Sequence, residues 1–129
     1  GAYPTTSTTE PIYNNQEDMY NAICATYKNA LKEFEDISFL IPAGTAIQNA
    51  RGTILGENYN DFAANESDNS HISSYGTLIT SLLYLNEIYD GNIKLSQVSN
   101  TYSSLMTDEE FAIAITCAKN AIKMPFKVI

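Results

Sequence analysis

Tryptophan is absent from this chain of 129 residues, only two cysteines are present, and histidine and arginine occur once each, as His71 and Arg51. Each scarcity removes a class of chemistry. A disulfide scaffold needs a dense cysteine framework and a zinc site needs closely spaced His and Cys ligands. Cys24 and Cys117 instead lie far apart, each at a small-apolar position of a helical pattern, where a buried free thiol is the simpler reading. No Asp/Asn loop of EF-hand spacing occurs, so neither metal nor other cofactor is expected. Positive charge is also scarce: fifteen acidic against seven basic side chains give a formal charge of -8. That balance repels phosphate backbones and anionic lipid, and nucleic acid is not an expected partner. The strongest apolar runs, Phe39-Leu40-Ile41 and residues 82–85, fall far short of the roughly 20 residues that span a bilayer, so no membrane span is expected.

What remains is enough for one core, since 44% of the residues are hydrophobic. Residues 1–12 hold two prolines and five Ser or Thr without a hydrophobic period and read as an extended lead-in. Residues 13–129 read as the rest of a single, partial domain. Met19, Tyr20, Ile23, Cys24, Tyr27, Ala30, Leu31 and Phe34 recur at three- and four-residue steps, the signature of one helical face, with Asn15 as its cap and Glu17 and Asp18 at the positive end of its dipole. Ile37-Ser38-Phe39-Leu40-Ile41, closed by Pro42 and Gly44, reads as a strand apolar on both faces, followed by a helix over residues 45–55. Residues 56–70 form a polar loop. A third helix is predicted over residues 70–89 with Gly91 as its left-handed cap, then a linker to Met106. Thr107-Asp108-Glu109-Glu110 is a capping box for the last helix, with Met106 placed to staple onto Phe111 and Pro125 to stop it.

Four helices with one central-looking strand, and only Ala2-Tyr3 and residues 126–129 as further short strand pieces, make an unbalanced set. The expected fold is α/β, the C-terminal portion of a doubly wound, flavodoxin-like parallel sheet that is mostly helical as present here. Its strand would leave Phe39 and the strand edges exposed, or covered by a homo-oligomeric partner or a missing N-terminal half.

With one imidazole available, any mechanism that needs a histidine base must use His71. Asp68, three residues earlier in the polar loop, is spaced so that its carboxylate can fold back to the ring Nδ1–H and stabilise the imidazolium formed when Nε2 takes a proton. Asp-x-x-His alone is weakly specific. The plainer reading makes Asp68 or Ser70 the cap of the following helix with His71 in its first turn, and treats Ser70, Ser73 and Ser74 as cap and helix-surface residues. Arg51 has the fork geometry to bind a substrate carboxylate but is more simply paired with a surface acid. Nine tyrosines suit a sugar-stacking surface, yet Tyr20, Tyr27, Tyr75 and Tyr89 fall near apolar stripes and read as core or rim.

The order strand, Pro-x-Gly-Thr turn, helix, long polar loop, Asp-x-x-His and amphipathic helix resembles the C-terminal end of SGNH (GDSL-type) hydrolases. Tyr13-Asn14-Asn15-Gln16, Met19-Tyr20-Asn21-Ala22-Ile23 and, most specifically, Gly44-Thr45-Ala46-Ile47-Gln48-Asn49-Ala50-Arg51 are similar to an uncharacterised bacterial SGNH-like family of secreted or envelope proteins. The resemblance implies that Asp68 orients His71, that His71 is the general base and then the general acid, and that the parent hydrolyses an acyl ester, for instance on an acylated carbohydrate. The superfamily's Gly-Asp-Ser nucleophile block and its oxyanion Gly and Asn have no counterpart here, nor is there a Gly-x-Ser-x-Gly elbow. The serine of the triad is thus expected outside this chain, which would be inactive alone. The alternative is a non-catalytic, mostly helical interaction domain.

Overall fold

The computed structural model describes residues 15–58, 63–65, 68–92, 94–101 and 104–129, with only the backbone of residues 57–58, 63–65 and 68–71. Five helices and one short ribbon make up these residues: α1 (Gln16–Glu33), α2 (Ala43–Arg51), α3 (Ile54–Asn58), β1 (Ala63–Asn65), β2 (Asp68–Ile72), α4 (Ser74–Ile88), a 3-10 turn (Leu95–Gln97) and α5 (Asp108–Lys123). β1 and β2 pair antiparallel as a two-stranded ribbon.

The expected doubly wound parallel sheet is not present among the described residues, and the domain is mostly helical. Residues 37–41 are the point of failure. The run is apolar and β-branched enough to be a strand, but among the described residues it has no neighbour to complete its hydrogen bonds, and an unpaired strand is not stable. It runs instead as an irregular connector in which Ile41 reaches the core while Phe39 is 59% exposed. Residues 126–129 are likewise turn and irregular chain, and Ala2-Tyr3 and the lead-in lie outside the described residues.

The helix punctuation follows the sequence. Asn15 Oδ1 accepts from the Asp18 backbone N–H at 2.8 Å and opens α1. Thr107 and Glu110 close a reciprocal capping box on α5, and Met106 and Phe111 on either side of it are both buried in the core. Gly91, at φ 68°, donates its N–H to Asn86 O at 2.8 Å and turns the chain out of α4.

The core is the meeting of α2, α4 and α5. Ala46 and Ala50 of α2 and Ala114, Ala118 and Ala121 of α5 are all fully or nearly fully buried, and the lack of bulk lets the two helices approach closely. Leu55, Ile79, Leu82, Leu83, Leu95, Met106 and Phe111 fill the space around that contact. α2 also carries the buried polar groups. Thr45 Oγ1 donates to the Pro125 carbonyl, which can only accept, so the Tyr20 hydroxyl 2.9 Å away is the donor to Thr45. One turn later, Asn49 Nδ2 donates to Cys117 O at 3.3 Å, and Asn49 Oδ1 accepts from the Ile129 N–H at 2.9 Å.

α1 is held mainly through its first half. Gln16 accepts from Gln48 Nε2 at 3.1 Å, Tyr20 reaches Thr45, and Cys24 is buried one turn on. Beyond Cys24 the helix is largely exposed, with Lys28 Nζ lying 5.2 Å from the centroid of the Phe126 ring. Ile23, Tyr27, Leu31 and Phe34 form an exposed apolar ridge, Tyr27 at 54% and Phe34 at 56%, that Ile37 and Phe39 continue.

Two outcomes follow from this packing. Thr45→Val and Asn49→Ala each leave buried polar groups unpaired and are expected to lower the unfolding free energy by about 1–3 kcal/mol; a urea titration followed by helical circular dichroism measures it, and an unchanged midpoint would contradict the assigned bonds. At Gly56 a Cβ would sit 2.3 Å from the Arg51 carbonyl oxygen, a backbone atom that cannot step aside. Gly56→Ala should therefore destabilise by about 1–3 kcal/mol, although alanine is the better helix former.

Candidate functional site

The site begins with the ribbon. Ala63 pairs with Ile72 and Asn65 with Asp68, so the ladder advances two residues on β1 and four on β2. β2 therefore carries two extra residues between Asp68 and Ile72, an irregularity of the β-bulge kind. In a regular strand, positions three apart fall on opposite faces; the extra residues break that alternation over the stretch that contains His71. Bulges commonly occur next to active sites, where they redirect one residue relative to its neighbours.

β2 leads directly into α4. The cap of that helix is Ser73, whose buried hydroxyl oxygen accepts from the Gly76 N–H at 3.2 Å, and Ser74 is an exposed first-turn residue. Ser73 and Ser74 thus have the cap and surface roles expected of them, whereas the cap is neither Asp68 nor Ser70. His71 belongs to β2 and not to the first turn of α4, which places Asp68 and His71 on one short strand at the positive end of a 15-residue helix. The contact of carboxylate with imidazole concerns side chains outside the described residues, as does the role of Ser70.

The remaining candidates fall on the scaffold. Arg51 closes α2, is half-buried and takes part in an interaction within the chain. Tyr20 is buried, and burial raises its phenol above the ordinary value despite the Thr45 hydrogen bond. Tyr75 packs at the margin of the core, while Tyr27 and Tyr89 are exposed. Among the described residues no group of three or more His, Cys, Asp or Glu is placed to hold a metal ion. Among them, too, no helix is long and apolar enough to cross a membrane.

Cys24 and Cys117 are both free and buried. Burial pushes the Cys117 thiol from an ordinary value of 9.0 up to about 11, so it stays protonated at neutral pH and is a poor nucleophile. The same shift links stability to pH. The folded state favours the neutral thiol, so this contribution is whole below about pH 9 and is lost as the pH rises toward 11. In urea titrations across that window Cys117→Ala should show a shallower decline than the parent; equal slopes would rule the thiol out as the source.

A family model described as a domain of unknown function (DUF4886) matches residues 3–118. No curated protein and no solved structure matches the chain.

Proposed function

The chain belongs to the DUF4886 family, and from that premise we propose that it is the C-terminal segment of an acyl ester hydrolase of SGNH type, to which it contributes the Asp and His of a catalytic triad. The observation that carries this reading is the position of Asp68 and His71 on the bulged strand β2, with the capping of α4 assigned to Ser73. The plainer role for Asp68, as helix cap, is thereby already filled by another residue. In the proposed reaction Asp68 accepts a hydrogen bond from His71 Nδ1–H and sets the tautomer. His71 Nε2 takes the hydroxyl proton of a serine supplied from outside this chain as the serine oxygen bonds to the acyl carbon. The ester C–O bond then breaks and the alcohol leaves with that proton. Water, deprotonated by the same nitrogen, then bonds to the acyl carbon; the bond from that carbon to the serine oxygen breaks, the imidazolium returns the proton to that oxygen, and the carboxylic acid is released. An acylated carbohydrate is the substrate class suggested by resemblance alone.

The exposed ridge Ile23–Tyr27–Leu31–Phe34, continued by Ile37 and Phe39, supports the same reading, because it offers a seat for the polypeptide that brings the nucleophile. It equally favours the second reading, a non-catalytic helical domain that binds a partner through this face.

Hydrolysis of a short-chain p-nitrophenyl ester by this chain and by a version extended upstream separates the two. The chain alone should show no turnover above buffer. The extended form should hydrolyse the ester and lose roughly 10³-fold or more of its activity on His71→Ala or Asp68→Asn. A folded extended form that is inactive, or one indifferent to His71→Ala, would leave the binding-domain reading in its place.

A further inference from the structure

At the other end of α4 lies a cleft of about 350 Å³, bordered by Asn86, the Gly91 turn, the 3-10 turn Leu95–Gln97 and the last turns of α5. Its size is near the lower end of small-ligand sites, which run from about 300 to 1,000 Å³. Leu95, almost wholly buried, and Ile122 give it apolar wall, and Asn86 and Ser96 add an amide and a hydroxyl. Lys94 and Lys119 bring two of the chain's seven cations to its rim.

Two lysines lining one small cleft are notable in a chain with fifteen acids and seven basic residues. Exposed lysines in such a chain ordinarily have carboxylates at hand, yet among the described residues neither Lys94 nor Lys119 has an ion-pair partner. A structural duty at the C-terminus of α4 does not account for them either. Leu85 O accepts from Tyr89 N, Asn86 O from Gly91 N and Glu87 O from Asp90 N, so those helix-end carbonyls are already satisfied by backbone. What the cleft does combine is two lysines, two apolar residues and two neutral hydrogen-bonding residues in one lining.

From this arrangement we infer that the cleft is a binding site for a small organic carboxylate with a short apolar portion. The carboxylate lies between Lys94 and Lys119 and the hydrocarbon lies against Leu95 and Ile122. The 15 residues of α4 put it about 22 Å from β2, so it is separate from the candidate catalytic strand and stands or falls independently of the hydrolase reading.

Titrating the isotopically labelled chain with hexanoate, hexanamide and inorganic phosphate, followed by amide NMR shifts, tests it. Hexanoate should give saturable shifts centred on Asn86, Gly91, Leu95 and Ser96, with a dissociation constant in the millimolar range, about -4 kcal/mol. The uncharged hexanamide and the tail-less phosphate should each bind at least about fivefold more weakly, and Lys94→Gln with Lys119→Gln should weaken hexanoate about tenfold, a loss of about 1.4 kcal/mol. Both lysines are exposed, so the doubly substituted chain should keep its fold and its spectral dispersion. Hexanamide binding as well as hexanoate, or hexanoate binding unchanged in the double variant, would overturn the role of the lysines. Phosphate binding as tightly as hexanoate would overturn the organic ligand, and no saturable shift at the cleft would overturn the site.

Discussion

The arrangement depends on two polar side chains one helical turn apart on α2. Thr45 and Asn49 sit on the buried face of a short helix otherwise made close-packing by Ala46 and Ala50. Between them they bind α1 through the Tyr20 hydroxyl, α5 through the Cys117 carbonyl and the C-terminal segment through Pro125 and Ile129. Buried hydrogen bonds of this kind add modest net stability, but leaving them unmade is costly, so they exclude other ways of stacking the same helices. Apolar contacts between alanines would tolerate rotation or sliding; paired donors and acceptors do not.

That fixed centre lets α4 serve two ends of the molecule. Ile79, Leu82 and Leu83 lock the middle of α4 against α2 and α5. Its N-terminus, opened by Ser73, receives the strand that bears Asp68 and His71. Its C-terminus, turned by Gly91, forms one wall of the lysine-rimmed cleft. Both features are thus mounted on a helix whose middle is packed into the core, which suits groups that must meet a ligand in a defined geometry.

Four of the helices are legible in the sequence because their signals are local, whereas α3 is not: residues 45–55 read as one helix, and Gly52 and Thr53 break it before Ile54. Asn15, the Thr107–Glu110 box and Gly91 act through bonds to residues within one turn, and the helical stripe from Met19 onward needs only its own periodicity to be read. The strand at residues 37–41 was misread for the complementary reason: a strand is defined by its neighbours, and composition does not reveal whether a neighbour exists. The ribbon is not legible because its first strand, Ala63–Asn65, is only three residues long and lies in an otherwise polar stretch, too short to show alternation. Asp68 and His71 stand out as candidates in the sequence, His71 because it is the only imidazole and Asp68 because it lies three residues before it. Ser73 was not separated from Ser70 and Ser74 as the cap, because all three have the right chemistry and only the start of α4 distinguishes them. The cleft left no trace in the sequence: Lys94 and Lys119 are 25 positions apart and come together only when α5 folds back over the turn after α4.

The Gly44-Thr45-Ala46-Ile47-Gln48-Asn49-Ala50-Arg51 string, the most distinctive in the chain, turns out to be a packing hub rather than a set of reacting groups, and this has a bearing on the order in which the protein is made. α2 leaves the ribosome long before the residues that complete its hydrogen bonds. Until Cys117 has emerged Asn49 has neither of its partners, until Pro125 has emerged Thr45 lacks its acceptor, and the second bond of Asn49 waits for Ile129. The native stack of α2 on α5 is accordingly completed only after the whole stretch from Thr45 to Ile129 has emerged.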